Sequence, residues 1–279
     1  TLCRDDGYTS GSEITTAGMQ RALLNRPDVQ SVLRVGPGRD EDIWKLSRVD
    51  VLIIEGYHFG IERILLRMKD ENAKLISVFI NLSLSGLEWS IRLPIDIIMT
   101  NSHMMSNILR ETTSALILHR DIGSLPLDSQ CIFDESYQHE VLHVGEYTPS
   151  KADVYDMMLG EAAPFGLALY GEGWESTKWR KYSFGKLPKQ HLSSAYCNAK
   201  VILGITRKSQ AMLDMMNNRV LDVLGAGTVL VSDYLPSIER ALGSKAVLFA
   251  RKPGDVTQHL QKVLRDDVLR KEIGTFGQL

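Results

Sequence analysis

Apolar residues fall along the chain in short runs rich in β-branched side chains, separated by longer stretches with the period of an amphipathic helix. Gln30 to Val35, Val51 to Glu55, Lys74 to Ile80, Ile95 to Thr100 and Ala115 to Leu118 read as strands. Ser12 to Leu24, Glu41 to Ser47, Gly60 to Asn72 and His103 to Glu111 carry the helical pattern between them. The alternation stops at His119 to Glu140, which holds Gly123, Pro126, Asp128 and Ser129 and has no period. It restarts with strands at Val141 to Gly145, Gly166 to Tyr170, Lys200 to Ile205, Thr228 to Ser232 and Ala246 to Phe249. Helical patterns cover Lys151 to Glu161, Lys189 to Asn198, Pro236 to Leu242 and Gly254 to Phe276. Strands alternating with helices predict an α/β protein with parallel sheets. The expected architecture is two doubly wound, Rossmann-like domains facing across a cleft, residues 1–122 and 141–279, with a linker over 123–140.

Composition narrows the class. A chain of 279 residues, 44% hydrophobic and 24% charged, fits two soluble globular domains. A formal net charge of -2 gives no electrostatic footprint for nucleic acid or an anionic membrane. No apolar run approaches the ~20 residues of a membrane helix. Arg4, Asp5 and Asp6 stand where a signal segment would be turning apolar. Cys3, Cys131 and Cys197 are few, odd in number and widely spaced, so a reduced, cytoplasmic protein without a disulfide framework is expected.

The segment from Asp214 to Asp233 carries the most chemistry. Asp214 and Asp222 stand eight positions apart around the polar turn Asn217, Asn218, Arg219, and a helical run then ends at Gly225-Ala226-Gly227. A turn feeding a helix N-terminus offers unpaired backbone N–H groups and the positive end of a dipole, which suits a phosphate. Arg219 adds a charge-assisted fork at the same place. An acid one turn into the helix can accept hydrogen bonds from sugar hydroxyls. Diphosphate plus sugar hydroxyls describes a nucleotide-sugar; the plain alternative for Asp222 is a solvated acid on an amphipathic helix.

This segment resembles the donor-binding signature of GT-B glycosyltransferases, in which two acids eight positions apart precede a glycine-terminated helix. The form with Arg219, Asp222 and Gly227 is most similar to the spore maturation protein CgeB-like group and the glycosyl transferases group 1 families. Both acids are Asp where the pattern has Glu, one methylene shorter. Val144-Gly145-Glu146 followed by Lys151 resembles the element whose lysine meets the donor phosphates, a solvated surface lysine being the alternative. Leu169 to Trp174 resembles the turn whose glycines, here Gly171 and Gly173, let backbone approach a ligand. Tyr182 to Lys200 resembles the segment over the nucleotide base. The elements follow the family's order, and the likeness covers Val141 to Gly277, the first domain matching only in its βα pattern.

The resemblance implies a glycosyltransferase that moves a sugar from a nucleotide-diphosphate donor, expected to be a UDP-sugar, to a hydroxyl on a glycan, protein or small molecule. It implies no metal and no further cofactor. Lys151, Arg219 and the helix start at Asn217 and Asn218 would neutralise the departing diphosphate. Asp222 would hold the ribose and Asp214 the transferred sugar. A catalytically degenerate GT-B domain serving as a binding or partner protein, and a nucleotide-sugar epimerase of the same fold, stay open. No closing helix is evident after Gly277, which leaves room for a partner subunit or an oligomer.

In the first domain, Gly7 to Ser12 follows a short strand and opens a helix, so it suits a cleft edge. Asp6 and Glu13 are candidate catalytic acids there, although Ser10-Gly11-Ser12-Glu13 also spells a capping box, the preferred reading. His58 and His103 follow strand ends, and His58 is the candidate base. His139-Glu140-Val141-Leu142-His143 has the metalloprotease spacing, but the second histidine sits in a strand pattern, where residues four apart are ~13 Å apart. One zinc cannot join ligands at that separation.

Overall fold

A computed structural model describes residues 11–34, 49–55, 61–81, 86–121 and 131–278. The chain divides into two compact units, Thr1–Ile122 with Met212–Met215, and Gly123–Ala211 with Met216–Leu279.

The first unit begins with helix α1 (Gly11–Leu24), then β1 (Val51–Glu55), α2 (Ile61–Glu71), β2 (Ile76–Asn81), α3 (Gly86–Arg92), β3 (Ile97–Thr100), α4 (His103–Thr112) and β4 (Leu116–His119). The four strands pair in parallel in the order β1-β2-β3-β4. Leu65, Phe79, Ile98, Met105 and Leu109 fill the core between sheet and helices with no exposed surface. Ser102 caps α4, its hydroxyl accepting from Met105 N at 3.0 Å, and the same hydroxyl donates to Leu213 O. Leu213 and Met215 pack into this core, which explains why Met212–Met215 counts with the first unit.

Two expectations change here. Residues 30–34 of the expected strand Gln30 to Val35 are irregular, because Leu33 is exposed and no neighbouring strand pairs with the segment among the described residues. Helix α3 was not expected, being a single short stretch of two turns. The expected helix Glu41 to Ser47 lies outside the described residues.

The second unit contains β5 (Val141–Val144), α5 (Ala152–Ala162), β6 (Leu167–Tyr170), α6 (Leu192–Asn198), β7 (Val201–Gly204) and most of α7 (Lys208–Met212). It continues with α8 (Asn218–Gly225), β8 (Val229–Asp233), α9 (Pro236–Ala246), β9 (Val247–Ala250), α10 (Asp255–Val263) and α11 (Asp267–Gln278). Its parallel sheet has the order β6-β5-β7-β8-β9. Alternate side chains serve opposite faces, as the pleat requires. Leu142, Ala168, Ile202 and Leu230 join Tyr196, Val220 and Val223 on one side. Val141, Leu167, Val201 and Val229 join Met158, Leu159 and Leu260 on the other. Burial on both faces makes these strands read as continuous apolar runs.

The sheet order reverses between β5 and β7, since β6 lies on one side of β5 and the later strands lie on the other. Ligands of such sheets bind outside the strand C-termini at this switch point.

Residues 131–140, expected as linker, belong to the second unit's packing. Tyr137 is 9% exposed on a 3-10 turn, Glu135–Tyr137, whose cap Asp134 accepts from Ser136 N. Asn198 Nδ2 donates to Ile132 O at 2.8 Å, and Asp134 N donates to Asn198 Oδ1 at 3.2 Å. Cys131 and Cys197 form a disulfide across 66 positions, which corrects the expectation of unpaired thiols. Its removal in a Cys131→Ser, Cys197→Ser double variant is expected to lower stability by about 2–4 kcal/mol through the freed loop of the unfolded chain. Chemical denaturation of the oxidised protein and the variant checks this, and equal midpoints would refute it.

Candidate functional site

The switch point is occupied by two cations. Arg219, in the first turn of α8, donates from Nη2 to Val144 O at 2.7 Å and from Nη1 to Ile205 O at 3.3 Å. Its planar fork thus ties the C-terminal end of β5 to the residue after β7, across the reversal. Lys151 reaches the same carbonyl, Nζ donating to Ile205 O at 3.1 Å. It comes from the 3-10 turn Pro149–Lys151 that leads into α5, and is 6% exposed. It is therefore buried, not a solvated surface lysine. Burial, with Arg219 and Arg207 nearby, lowers its pKa to about 7 against the opposing pull of Asp233.

The floor beneath the cations is aromatic and tightly built. His143 in β5 is fully buried, Nδ1 facing Leu203 O at 2.9 Å. Nδ1 therefore carries the proton, and Nε2 is a buried acceptor with no partner. Burial, then Arg219, hold the His143 pKa well below the ordinary value, so the ring is neutral. The rings of Tyr155 and Trp174 meet it edge-on, and Trp174 Nε1 donates to Gly145 O at 2.7 Å. A Cβ on Gly145 would stand 2.9 Å from Arg219 Nη2, so glycine here leaves the space the guanidinium fills.

A polar wall stands beside the cations at the ends of β7 and β8. Asp233 Oδ1 accepts from Thr206 N and Thr206 Oγ1, both at 3.0 Å. Burial raises the Asp233 pKa, with the Thr206 bonds and Lys151 acting the other way. Asn217, the residue before α8, makes no side-chain hydrogen bond to the helix end. Its Nδ2 instead reaches Thr206 Oγ1 at 3.4 Å, and its Oδ1 is buried without a hydrogen-bond partner.

Of the residues singled out from sequence, Lys151, Asn217 and Arg219 come together here, with Asn218 as the first residue of α8. Asp222 follows one turn later, half-buried. It acts on Tyr196, whose phenol burial pushes up to about 12, with Arg219 lowering and Asp222 raising it. Gly171 and Gly173 lie on the turn after β6. Gly171 has φ 141°, and a Cβ there would stand 2.1 Å from Gly145 O, so its bareness serves the junction between two backbone turns. Asp214, at φ 50°, lies on the segment counted with the first unit. Asp6 and His58 lie outside the described residues; Glu13 is in α1, but its side chain is not described. His103 opens α4 and stacks on His119 with ring centroids 3.8 Å apart.

The zinc-like spacing falls on a strand, as its pattern predicts: His143 is inside β5, while His139 precedes it and packs against Phe184. Sequence reasoning weighed His143 only as a zinc ligand and passed over the side chains of Tyr196, Thr206 and Asp233. A signal existed for the last two, since Thr206 stands two residues past the end of buried β7 and Asp233 ends β8, both at the sheet's C-terminal edge.

No curated protein matches the chain in sequence. A family model described as Glycosyl transferase-like matches residues 156–279. Among solved structures, the pneumococcal O-GlcNAc transferase GtfA, in complex with UDP and GlcNAc, is 12% identical with TM-score 0.57, covering 86% of this chain and 55% of that one. This chain therefore spans about half the length of that neighbour. A mutant form of the T4 phage protein BGT in complex with UDP-glucose is 15% identical with TM-score 0.53, covering 82% of this chain and 77% of that one. A putative UDP-N-acetylglucosamine 2-epimerase from Listeria monocytogenes is 8% identical with TM-score 0.58, covering 96% and 89%. Such identities speak for fold alone. The chain has the GT-B fold of these neighbours, and its residues 156–279 are similar to the glycosyl transferase-like family model.

Proposed function

We propose that the protein transfers a sugar from a nucleoside diphosphate donor, a UDP-sugar first among the candidates, to a hydroxyl acceptor, without a metal ion. The observation that carries this reading is the pair of cations at the switch point. Lys151 and Arg219 converge on Ile205 O, and neither makes an ion pair among the described residues. Holding two cations together out of water is unfavourable until an anion arrives. The α8 N-terminus adds the positive end of its dipole. A diphosphate supplies charge to match all three.

The same arrangement suits the chemical step. As the bond from the sugar's anomeric carbon to the β-phosphate oxygen breaks, negative charge grows on that oxygen. Cations already fixed by Val144 O and Ile205 O meet that charge without reorganising, which stabilises the transition state more than the ground state. Asp222, one turn into α8, would take hydrogen bonds from the ribose hydroxyls. The UDP and UDP-glucose held by the pneumococcal and phage neighbours support this donor class.

Thermal shift and calorimetry against UDP, GDP, TDP, ADP and their sugar conjugates test the reading. One nucleoside diphosphate is expected to stabilise the protein by about 2.7 kcal/mol at a hundred times its Kd. Silence from every one of them at millimolar concentration would sink the proposal.

A further inference from the structure

Strand β8 is buried along Val229, Leu230, Val231 and Ser232 and then ends on a half-buried carboxylate, Asp233. One oxygen of that carboxylate is saturated. Oδ1 accepts from Thr206 N and Thr206 Oγ1 at 3.0 Å and from Ser232 Oγ at 3.4 Å. The other, Oδ2, accepts no hydrogen bond among the described residues. The Thr206 hydroxyl has one proton and gives it to Asp233, so it must accept from Asn217 Nδ2, at 3.4 Å. That relay fixes the Asn217 amide and leaves its Oδ1 as a second acceptor, buried and without a hydrogen-bond partner.

Two acceptors held rigidly beside Lys151 and Arg219 are wrong for phosphate. Phosphate oxygens at neutral pH are acceptors themselves, and a carboxylate repels them. What acceptors beside an anion site can take is a proton donor attached to the anion but carrying no charge. Sugar hydroxyls have that chemistry. We propose that Asp233, held by Thr206, accepts a hydrogen bond from a hydroxyl of the sugar carried by the nucleoside diphosphate, and so sets which donor sugar is accepted. This rests on the donor-binding reading above. Burial, which raises the proton affinity of Asp233, also removes competing water from its bond. A half-buried acceptor left unpaired by a sugar lacking that hydroxyl discriminates against it.

The test compares UDP with UDP-glucose and UDP-N-acetylglucosamine by calorimetry in the wild type and in Asp233→Asn, which keeps the shape and the acceptor for Thr206. The variant is expected to bind UDP as well as the wild type or a few-fold tighter, having lost a repelling charge, and its sugar conjugate at least about tenfold more weakly relative to UDP. Thr206→Val, which frees the carboxylate without removing it, is expected to lower the same ratio by a smaller factor and guards against misfolding of the first variant. If UDP and conjugate weaken together, or neither changes, Asp233 is not reading the sugar and this inference falls while nucleotide binding stands. A wild type that binds none of the three contradicts the underlying reading instead.

Discussion

Replacing Arg219 with alanine is expected to weaken nucleoside diphosphate binding by about 10- to 100-fold, the loss of roughly 1.5–3 kcal/mol for charge-assisted hydrogen bonds. The size follows from position. Arg219 contacts both sides of the switch point through Val144 O and Ile205 O, and Nε has no hydrogen-bond partner. Part of the loss is offset, because Arg219 lowers the proton affinity of Lys151, and its removal leaves more of that lysine charged. Arg219→Lys keeps a charge but cannot span two carbonyls with one planar group, so it is expected to recover only a fraction of the affinity. Calorimetric titration with UDP measures both variants. Wild-type affinity in Arg219→Ala would remove the guanidinium from the account.

Lys151→Met is expected to do two opposite things: abolish tight diphosphate binding and stabilise the ligand-free protein. The folded pKa of Lys151, about 7, lies below the 10.5 of an ordinary lysine. Between those values the unfolded chain holds one more proton than the folded one, so wild-type stability rises with pH across that interval. Below about pH 7 both states are charged, and the full cost of burying the ammonium is present. At pH 6 the methionine variant is therefore expected to be more stable by about 1–3 kcal/mol, an advantage that shrinks toward pH 10. Ligand affinity runs the other way. The ammonium form attracts the diphosphate, so wild-type binding weakens as pH rises through 7, while the variant is weak and lacks that component. Urea denaturation and titration at pH 6, 7.5 and 9 read both trends. A variant no more stable than wild type at pH 6 would contradict the buried-cation assignment.

The burial of Lys151 was legible only in part from the sequence. The spacing from Gly145 marks the lysine, but its burial comes with a bond to Ile205 O, 54 positions on, which no local pattern encodes. Arg219, Asn217 and Asn218 were legible because a helix start is a local event with its own residue preferences. The strands of the second unit were legible because each is apolar on both faces. Cys131 and Cys197 were not, since pairing depends on α6 folding back beside a segment 66 positions earlier. Tyr137 escaped for a related reason: a single buried aromatic on a three-residue turn has no period to detect. Gly171 is a position whose packing partner the sequence leaves open. Its motif was visible, but its missing Cβ faces Gly145 O, so the glycine serves a backbone junction.

The most direct test is calorimetric titration of UDP into the wild type, Arg219→Ala and Arg251→Ala. Arg251 is an exposed arginine of the second unit, paired with Glu239. Tight binding in the wild type and Arg251→Ala, with at least a tenfold loss in Arg219→Ala, is the predicted result. No binding in the wild type, or equal losses in both variants, would contradict the claim that the cation pair at the switch point holds the diphosphate.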